Sequence, residues 1–297
     1  MIILIFLTLM LSISGEASAQ PARLLVPAGK PGWTNPVYSP DGNKIAFTDA
    51  SLGVIRFIEN GEDSPRGVAS ATRIGRRFVF EPNSKRIVYR QEVGALPEKP
   101  WRLVSTSLYL YDPAMKTINE TGEIYGPYYL LGRVWYRPTL LSPFYDYEGD
   151  SRIAGPYLDA ATGLLWIRSA KGDTVYTSPA GVTIAGMELS PDGQWVAAVR
   201  ETPSRAMLLI SVADGKTTEF ENAFAPGWSG DSKNVICVRS TNTPPDELVR
   251  IRVPSFKSEV VFRSPKYSPE VPALNPDGSR VGFVSKGAIY EAIITLK

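Results

Sequence analysis

The chain has 297 residues, a net charge of +2 with 21% charged residues, a single cysteine and no histidine. So balanced a charge makes no electrostatic case for nucleic acid, and one cysteine cannot form an intramolecular disulfide. The lack of histidine removes His-based acid–base catalysis, Ser-His-Asp triads and His-ligated metal sites together.

In chain order, residues 2–11 come first, an almost unbroken apolar run too short to span a bilayer. It leads into Ala17-Ser18-Ala19, an A-x-A cleavage pattern. Together they predict a signal peptide over 1–19, a mature chain from Gln20, and export to the periplasm or secretion. No cysteine follows the run to accept a lipid, and no later stretch is apolar for long enough to be a transmembrane segment. Residues 20–297 read as one domain, since all-β folds of this size are commonly single. The 25 glycines and 25 prolines fit a chain with many turns.

Beyond residue 38, a four-residue run recurs: Ser39-Pro40-Asp41-Gly42, Glu81-Pro82-Asn83-Ser84, Ser190-Pro191-Asp192-Gly193, Ser229-Gly230-Asp231-Ser232 and Asn275-Pro276-Asp277-Gly278. Each follows a large apolar or aromatic residue (Tyr38, Phe80, Leu189, Trp228, Leu274) and precedes a β-rich run such as Lys44-Ile45-Ala46-Phe47. The spacings are 42, 109, 39 and 46 residues, and the long one holds two units. The diverged copy falls in 130–178, with strands at 132–136, 156–159 and 164–167. Six units of this size are propeller blades.

Each unit reads as four short strands. In the best copy these are 186–189, 195–200, 206–212 and 217–221, with the tetrad as the first turn and Asp214-Gly215 as the last. The final unit has strands at 271–274, 280–284 and 288–295, then the sequence ends. Residues 22–26 supply its fourth strand, which closes the ring and removes a sheet edge.

The tetrad and its flanking strands resemble the TolB-type, WD-like propeller repeat, with its W-S-P-D-G-x-x-I-A-F core. The match runs through residues 38–47, 189–198, 228–237 and 274–283, and more weakly through 80–89. The resemblance implies an all-β, six-bladed β-propeller of four-stranded antiparallel blades. Such propellers commonly act as periplasmic interaction modules and also occur attached to peptidases.

The repeat also aligns columns. Phe47, Tyr89, Ala198, Cys237 and Phe283 share one position, so Cys237 reads as a packing residue, not a nucleophile. Two residues on stand Asp49, Gln91, Arg200, Arg239 and Ser285. Arg200 and Arg239, in adjacent units, either meet one anionic group together or each pair with a local carboxylate such as Glu201 or Asp246. Two residues before the tetrad stand Val37, Val79, Glu188, Gly227 and Ala273. Glu188 is the charged member of this channel-lining row, either placed to hold water or a cation or simply solvated in the channel.

Two long connections, 92–103 and 138–154, bring Trp101, Phe144, Tyr145 and Tyr147 to the face opposite the tetrads. The segments between units add Trp33, Tyr125, Tyr128, Tyr129, Phe224 and Tyr267. Aromatic loops on a rigid scaffold serve either binding or packing. The acidic run Asp146-x-Glu148-x-Asp150 lacks the glycine placement of an EF-hand.

Three functions remain open on these residues. The first is a non-catalytic module, a monomeric propeller needing no cofactor, that binds another envelope or secreted protein through its loop-rich face. The second is a carbohydrate-active enzyme using two of Glu188, Asp49, Asp146 and Glu148 as acid and base. The third is a small-ligand or glycan binder using the same rim without turnover.

Overall fold

The computed structural model describes residues 21–70, 78–80, 86–92, 95–96, 99–103, 106–112, 114, 117–123, 129–131, 134–136, 155–158, 164–169, 171–243 and 245–294. The predicted signal peptide lies outside them. Among the described residues every regular element is a β-strand, and every pairing is antiparallel.

Sheet I orders Trp33–Tyr38, Lys44–Asp49, Val54–Glu59 and Arg66–Ser70 from inside to outside. Sheet II is built likewise from Phe78–Phe80, Ile87–Glu92, Thr106–Asp112 and Thr117–Glu123. Sheet III has three described strands, Gly155–Leu158, Leu165–Arg168 and Thr174–Thr177. Sheet IV comprises Thr183–Leu189, Trp195–Thr202, Ala206–Ser211 and Thr217–Glu221. Ala223–Trp228, Asn234–Arg239, Glu247–Arg252 and Lys257–Arg263 form sheet V. Sheet VI takes Glu270–Leu274, Arg280–Ser285 and Ala288–Ile293 from the end of the chain and Ala22–Val26 from its start, with Arg23 opposite Glu291.

Two smaller pairs depart from the sequence reading. Residues 92–103, read as a long connection, contain a hairpin of Ala95–Leu96 with Lys99–Leu103. Val134–Tyr136, read as the first strand of the third unit, instead pairs with Tyr129–Leu131.

Neighbouring sheets pack side by side through their inner strands, II on I, I on VI, VI on V, V on IV and IV on III. Each contact has its own apolar core. The second strand of each sheet explains how. Its residues alternate between faces, and both faces are covered, so the middle of the run is apolar, as in 45–47 and 235–238. Ala46 faces sheet II while Phe47 faces sheet VI. Cys237 faces sheet IV while Ile236 faces sheet VI. Phe47, Tyr89, Ala198, Cys237 and Phe283 are all buried, each against the preceding sheet.

The four described tetrads form one hydrogen-bonded turn, and Glu81-Pro82-Asn83-Ser84 lies outside the described residues. Ser39 Oγ donates to Asp41 Oδ1 (2.6 Å) and accepts from Lys44 N (2.9 Å), while Asn43 N donates to Asp41 Oδ1 (3.0 Å). Ser190 with Asp192 and Ser229 with Asp231 repeat these bonds, and Asn275 replaces the serine in the last copy. Gly42, Gly193 and Gly278 take φ of 70–72°, the left-handed region glycine enters without strain. Ser232 fills that place in sheet V, and its Oγ accepts from Asp192 N of sheet IV (2.9 Å).

Higher on the inner strands lies a repeated bulge. Register shifts fall between Thr34 and Val37, Phe224 and Gly227, and Glu270 and Ala273. Asn35, Ala225 and Val271 there have positive φ, and each precedes a proline, which has no N–H to lose from the ladder.

Candidate functional site

The tetrad ends of five sheets surround a cavity of about 130 Å³. Val37, Tyr38 and Pro40 enter from sheet I, Phe80 from II, Glu188, Leu189 and Pro191 from IV, Trp228 and Gly230 from V, and Ala273, Leu274 and Pro276 from VI. Three of these are the second residues of tetrads, and Gly230 stands in that place in sheet V. Among the described residues the wall is apolar and aromatic, with Glu188 its one charged side chain. Trp228 Nε1 donates to the Glu188 carbonyl oxygen (3.2 Å) and so ties sheet V to sheet IV at the mouth.

The other residues singled out in the sequence lie elsewhere. Glu188 stands opposite Ala197, and Arg200 lies three residues further along that strand, opposite Ile184. Three residues of strand are about 10 Å, which puts Arg200 toward the opposite end of the sheet. Its guanidinium pairs with Glu219 in a two-pronged contact, one arm at 2.9 Å, and donates from Nε to Ser204 O (3.0 Å). Arg239 holds Glu247 through Nε (3.1 Å) and Nη2 (2.5 Å). Each arginine is thus taken up by its own sheet.

Asp49 is also committed, and it stands at the end opposite the tetrads. Its carboxylate accepts from Ser51 Oγ (2.5 Å), Gly53 N (2.7 Å) and Val54 N (3.2 Å), which shapes the turn leaving the second strand of sheet I. Trp101 lies in the hairpin strand Lys99–Leu103, and Tyr129 pairs with Tyr136. Tyr128, Phe144, Tyr145 and Tyr147, with Asp146 and Glu148, lie outside the described residues. Among the described residues no group of three or more Cys, Asp or Glu side chains is placed to hold a metal, and no helix is long and apolar enough to cross a membrane.

Sequence reasoning placed Val37, Glu188 and Ala273 in one channel-lining row but missed the rest of this wall. Tyr38, Phe80 and Trp228 were visible as the residues preceding each tetrad, and the prolines as part of it. Both columns read as packing and turn because the repeat accounts for them by folding alone.

A second cavity, of about 210 Å³, opens where Ala22–Val26 approaches sheet I. On its wall the buried Glu291 carboxylate accepts from Tyr38 Oη (2.9 Å), Arg23 Nη2 (2.9 Å) and Arg280 Nη1 (3.3 Å). Burial, followed by the charge and hydrogen bond of Glu291, pushes the Tyr38 hydroxyl well above its ordinary range. The Cys237 thiol is pushed up to about 12 by burial, which leaves it protonated and unreactive.

No family model matches this chain, and none of the curated proteins does. Among solved structures, 93% of the chain matches all of the β-propeller domain of Cps50 (Swd1) from Myceliophteria thermophila, at 11% identity and a TM-score of 0.56. With the antiparallel sheets packed side by side about their inner strands, that likeness defines the chain as a β-propeller. Two further likenesses are weaker. TolB from Acinetobacter baumannii matches at 11% identity and a TM-score of 0.36, over 89% of this chain and 55% of that one, so the chain spans about half its length. An oligogalacturonate lyase from Vibrio parahaemolyticus matches at 11% identity and a TM-score of 0.44, over 89% of this chain and 78% of that one.

Proposed function

We propose that this chain is an exported, six-bladed β-propeller, monomeric and without catalytic activity, that binds another protein of the cell envelope or exterior. Sheets I to VI are its blades, and Ala22–Val26 closes the ring through its pairing with Ala288–Ile293. The observation that carries the reading is the cavity at the tetrad end. Rigid turns from several sheets present an apolar, aromatic wall to one point, as a binding surface requires. Acid–base hydrolysis has less support. Its two carboxyl groups must lie about 5–10 Å apart. Asp49 stands three residues, about 10 Å, up the strand from the level of Glu188, before their separation across the ring is added, and its oxygens are already bonded.

Two measurements test this. N-terminal sequencing of protein from the envelope fraction should begin at Gln20; an intact Met1 there would refute export. Mature protein used as bait in periplasmic extract and culture medium should retain one partner at a fixed ratio. Recovery that survives deletion of 139–153 supports contact at the tetrad end. Loss on that deletion moves the contact to the loop-rich face with Trp101, Tyr129 and the arginines, and absence of any partner defeats the interaction reading.

A further inference from the structure

We propose that Arg250 and Arg252 form an oxyanion site, for a phosphate or carboxylate group, between sheets V and VI; it stands apart from the interaction reading above. Arg250 lies on the third strand of sheet V opposite Ile236, on the face toward sheet VI. The residues at this level in sheets I, II and IV are Phe57, Leu110 and Leu209. Those sheets fold without a charge there, yet Arg250 carries one and is 3% exposed. Sheet VI has a charge at the same level, Glu291. The two are opposite in sign, and so are their neighbours on the outer strand, Arg23 beside Glu291 and Glu259 beside Arg250.

What the next sheet contributes is different. Tyr38, the residue before the tetrad of sheet I, donates to Glu291 (2.9 Å). Leu274 holds that place in sheet VI and has no acceptor to give Arg250. The hydrogen bonds of Arg250 are accordingly incomplete. Nε donates to Glu259 Oε1 (2.7 Å). Nη2 lies 2.5 Å from the same oxygen but off the line of its N–H bonds, so it makes an ion pair and no hydrogen bond. Arg252 Nη2 donates to that oxygen as well (3.1 Å). One carboxylate thus serves two guanidiniums, and Lys257, opposite Arg252, adds a further positive charge. The side chains of sheet VI on the facing side, Leu274, Val281, Ala292 and Ile294, carry no charge. Asp277, on the turn whose Gly278 approaches Asn234, is held by Ser279 N (2.8 Å). A buried donor left without its bond is costly. A group with several acceptor oxygens supplies the bond that Leu274 cannot, and the guanidinium fork matches phosphate and carboxylate in shape. The way in is from the outer rim, where Arg252 and Glu259 are 47% and 34% exposed.

The test is calorimetric titration of the mature protein, at constant ionic strength in chloride, with inorganic phosphate, Ac-Gly-Glu-Gly-NH2 and the neutral Ac-Gly-Gln-Gly-NH2. Saturable binding of phosphate or of the glutamate peptide is expected, at least tenfold tighter than the glutamine peptide. The arm that saturates first tells a phosphoryl ligand from an acidic side chain. Arg250→Leu installs the residue that sheets II and IV carry at this level and should weaken that binding at least tenfold. Glu259→Gln removes the resident carboxylate and should tighten it. No saturation by phosphate or the glutamate peptide, equal binding of the glutamine peptide, or undiminished binding by folded Arg250→Leu overturns the proposal. So does weaker binding by folded Glu259→Gln. If Arg250→Leu does not fold, Arg252→Gln at the exposed edge takes its place, and unchanged binding there overturns the proposal equally.

Discussion

Glu291→Ala would test the joint between the first strand of the chain and its last sheet. The carboxylate is 8% exposed and holds three donors of unequal dependence. Arg23 is 55% exposed and returns to water. Arg280 keeps its bond from Nη2 to Gly42 O (2.8 Å). Tyr38 is buried, and Glu291 is the one acceptor its hydroxyl has among the described residues. An orphaned buried hydroxyl costs about 1–3 kcal/mol, and two partly exposed ion pairs add about 1 kcal/mol. Glu291→Ala should therefore destabilise by about 2–4 kcal/mol, or lower Tm by roughly 5–12 °C in a domain of this size. Tyr38→Phe removes the donor instead of the acceptor and should cost about 1 kcal/mol. In the double variant no hydroxyl is left stranded, so the sum of the singles should exceed the double by about 1–2 kcal/mol. Urea unfolding of the four proteins, with the slope checked for constancy, reads this directly. Additivity within about 0.5 kcal/mol, or a Glu291→Ala cost below about 1 kcal/mol, would refute the reasoning.

The same tyrosine predicts a pH dependence. Burial first, then Glu291, raises the Tyr38 hydroxyl above its ordinary 10.0, so its contribution is complete below that pH and lost as pH rises through the folded value. Urea midpoints between about pH 8 and 11 should fall more steeply for the wild type than for Tyr38→Phe. The tetrads act at the other limb. Hydrogen bonds from Ser279 hold Asp277 below its ordinary 3.8, and bonds from Ser39 and Asn43 do so for Asp41 against an opposing effect of burial. Their stabilisation is present above that value and lost as pH falls, so Asp41→Ala with Asp277→Ala should flatten the acid limb of midpoint against pH. Phe283→Ala should cost about 3–5 kcal/mol in the same assay, since its buried ring packs 4.9 Å from Phe262 and 5.8 Å from Tyr290. Cys237 should resist Ellman's reagent near neutral pH in the folded protein and react once unfolded; labelling of the native state would contradict its burial.

Much of the strand order was legible because the repeat carries its own ruler. Expected strands at 195–200, 206–212 and 217–221 sit within two residues of Trp195–Thr202, Ala206–Ser211 and Thr217–Glu221. The third unit was misread at its first strand because its tetrad has diverged, and without that turn nothing distinguishes an inner strand from a hairpin arm. The arginines show a different limit. Glu201 and Asp246 were the carboxylates nearest in sequence, yet Arg239 pairs with Glu247, its direct cross-strand partner, and Arg200 with Glu219, two strands away. A strand has period two, so a residue one place from the true partner points to the other face. Which carboxylate wins depends on register, and register is set by sheets the local sequence does not display.

The tetrads read as turns in the sequence, and the cavity shows that such turns can also wall a site. A turn held by serine, aspartate and glycine fixes the proline between them, and several such prolines fixed about one axis make a wall. The wall is common to the repeat and so cannot by itself choose a partner. Choice must come from places where one sheet breaks the pattern, as Glu188 does among Val37, Gly227 and Ala273, and Gly230 does among Pro40, Pro191 and Pro276. Both departures fall in adjacent sheets IV and V, joined by the bonds from Trp228 to Glu188 and from Asp192 to Ser232. Removing the carboxylate should therefore change which partner is accepted while leaving the ring intact. Removing Trp228 should loosen the wall on which that choice depends.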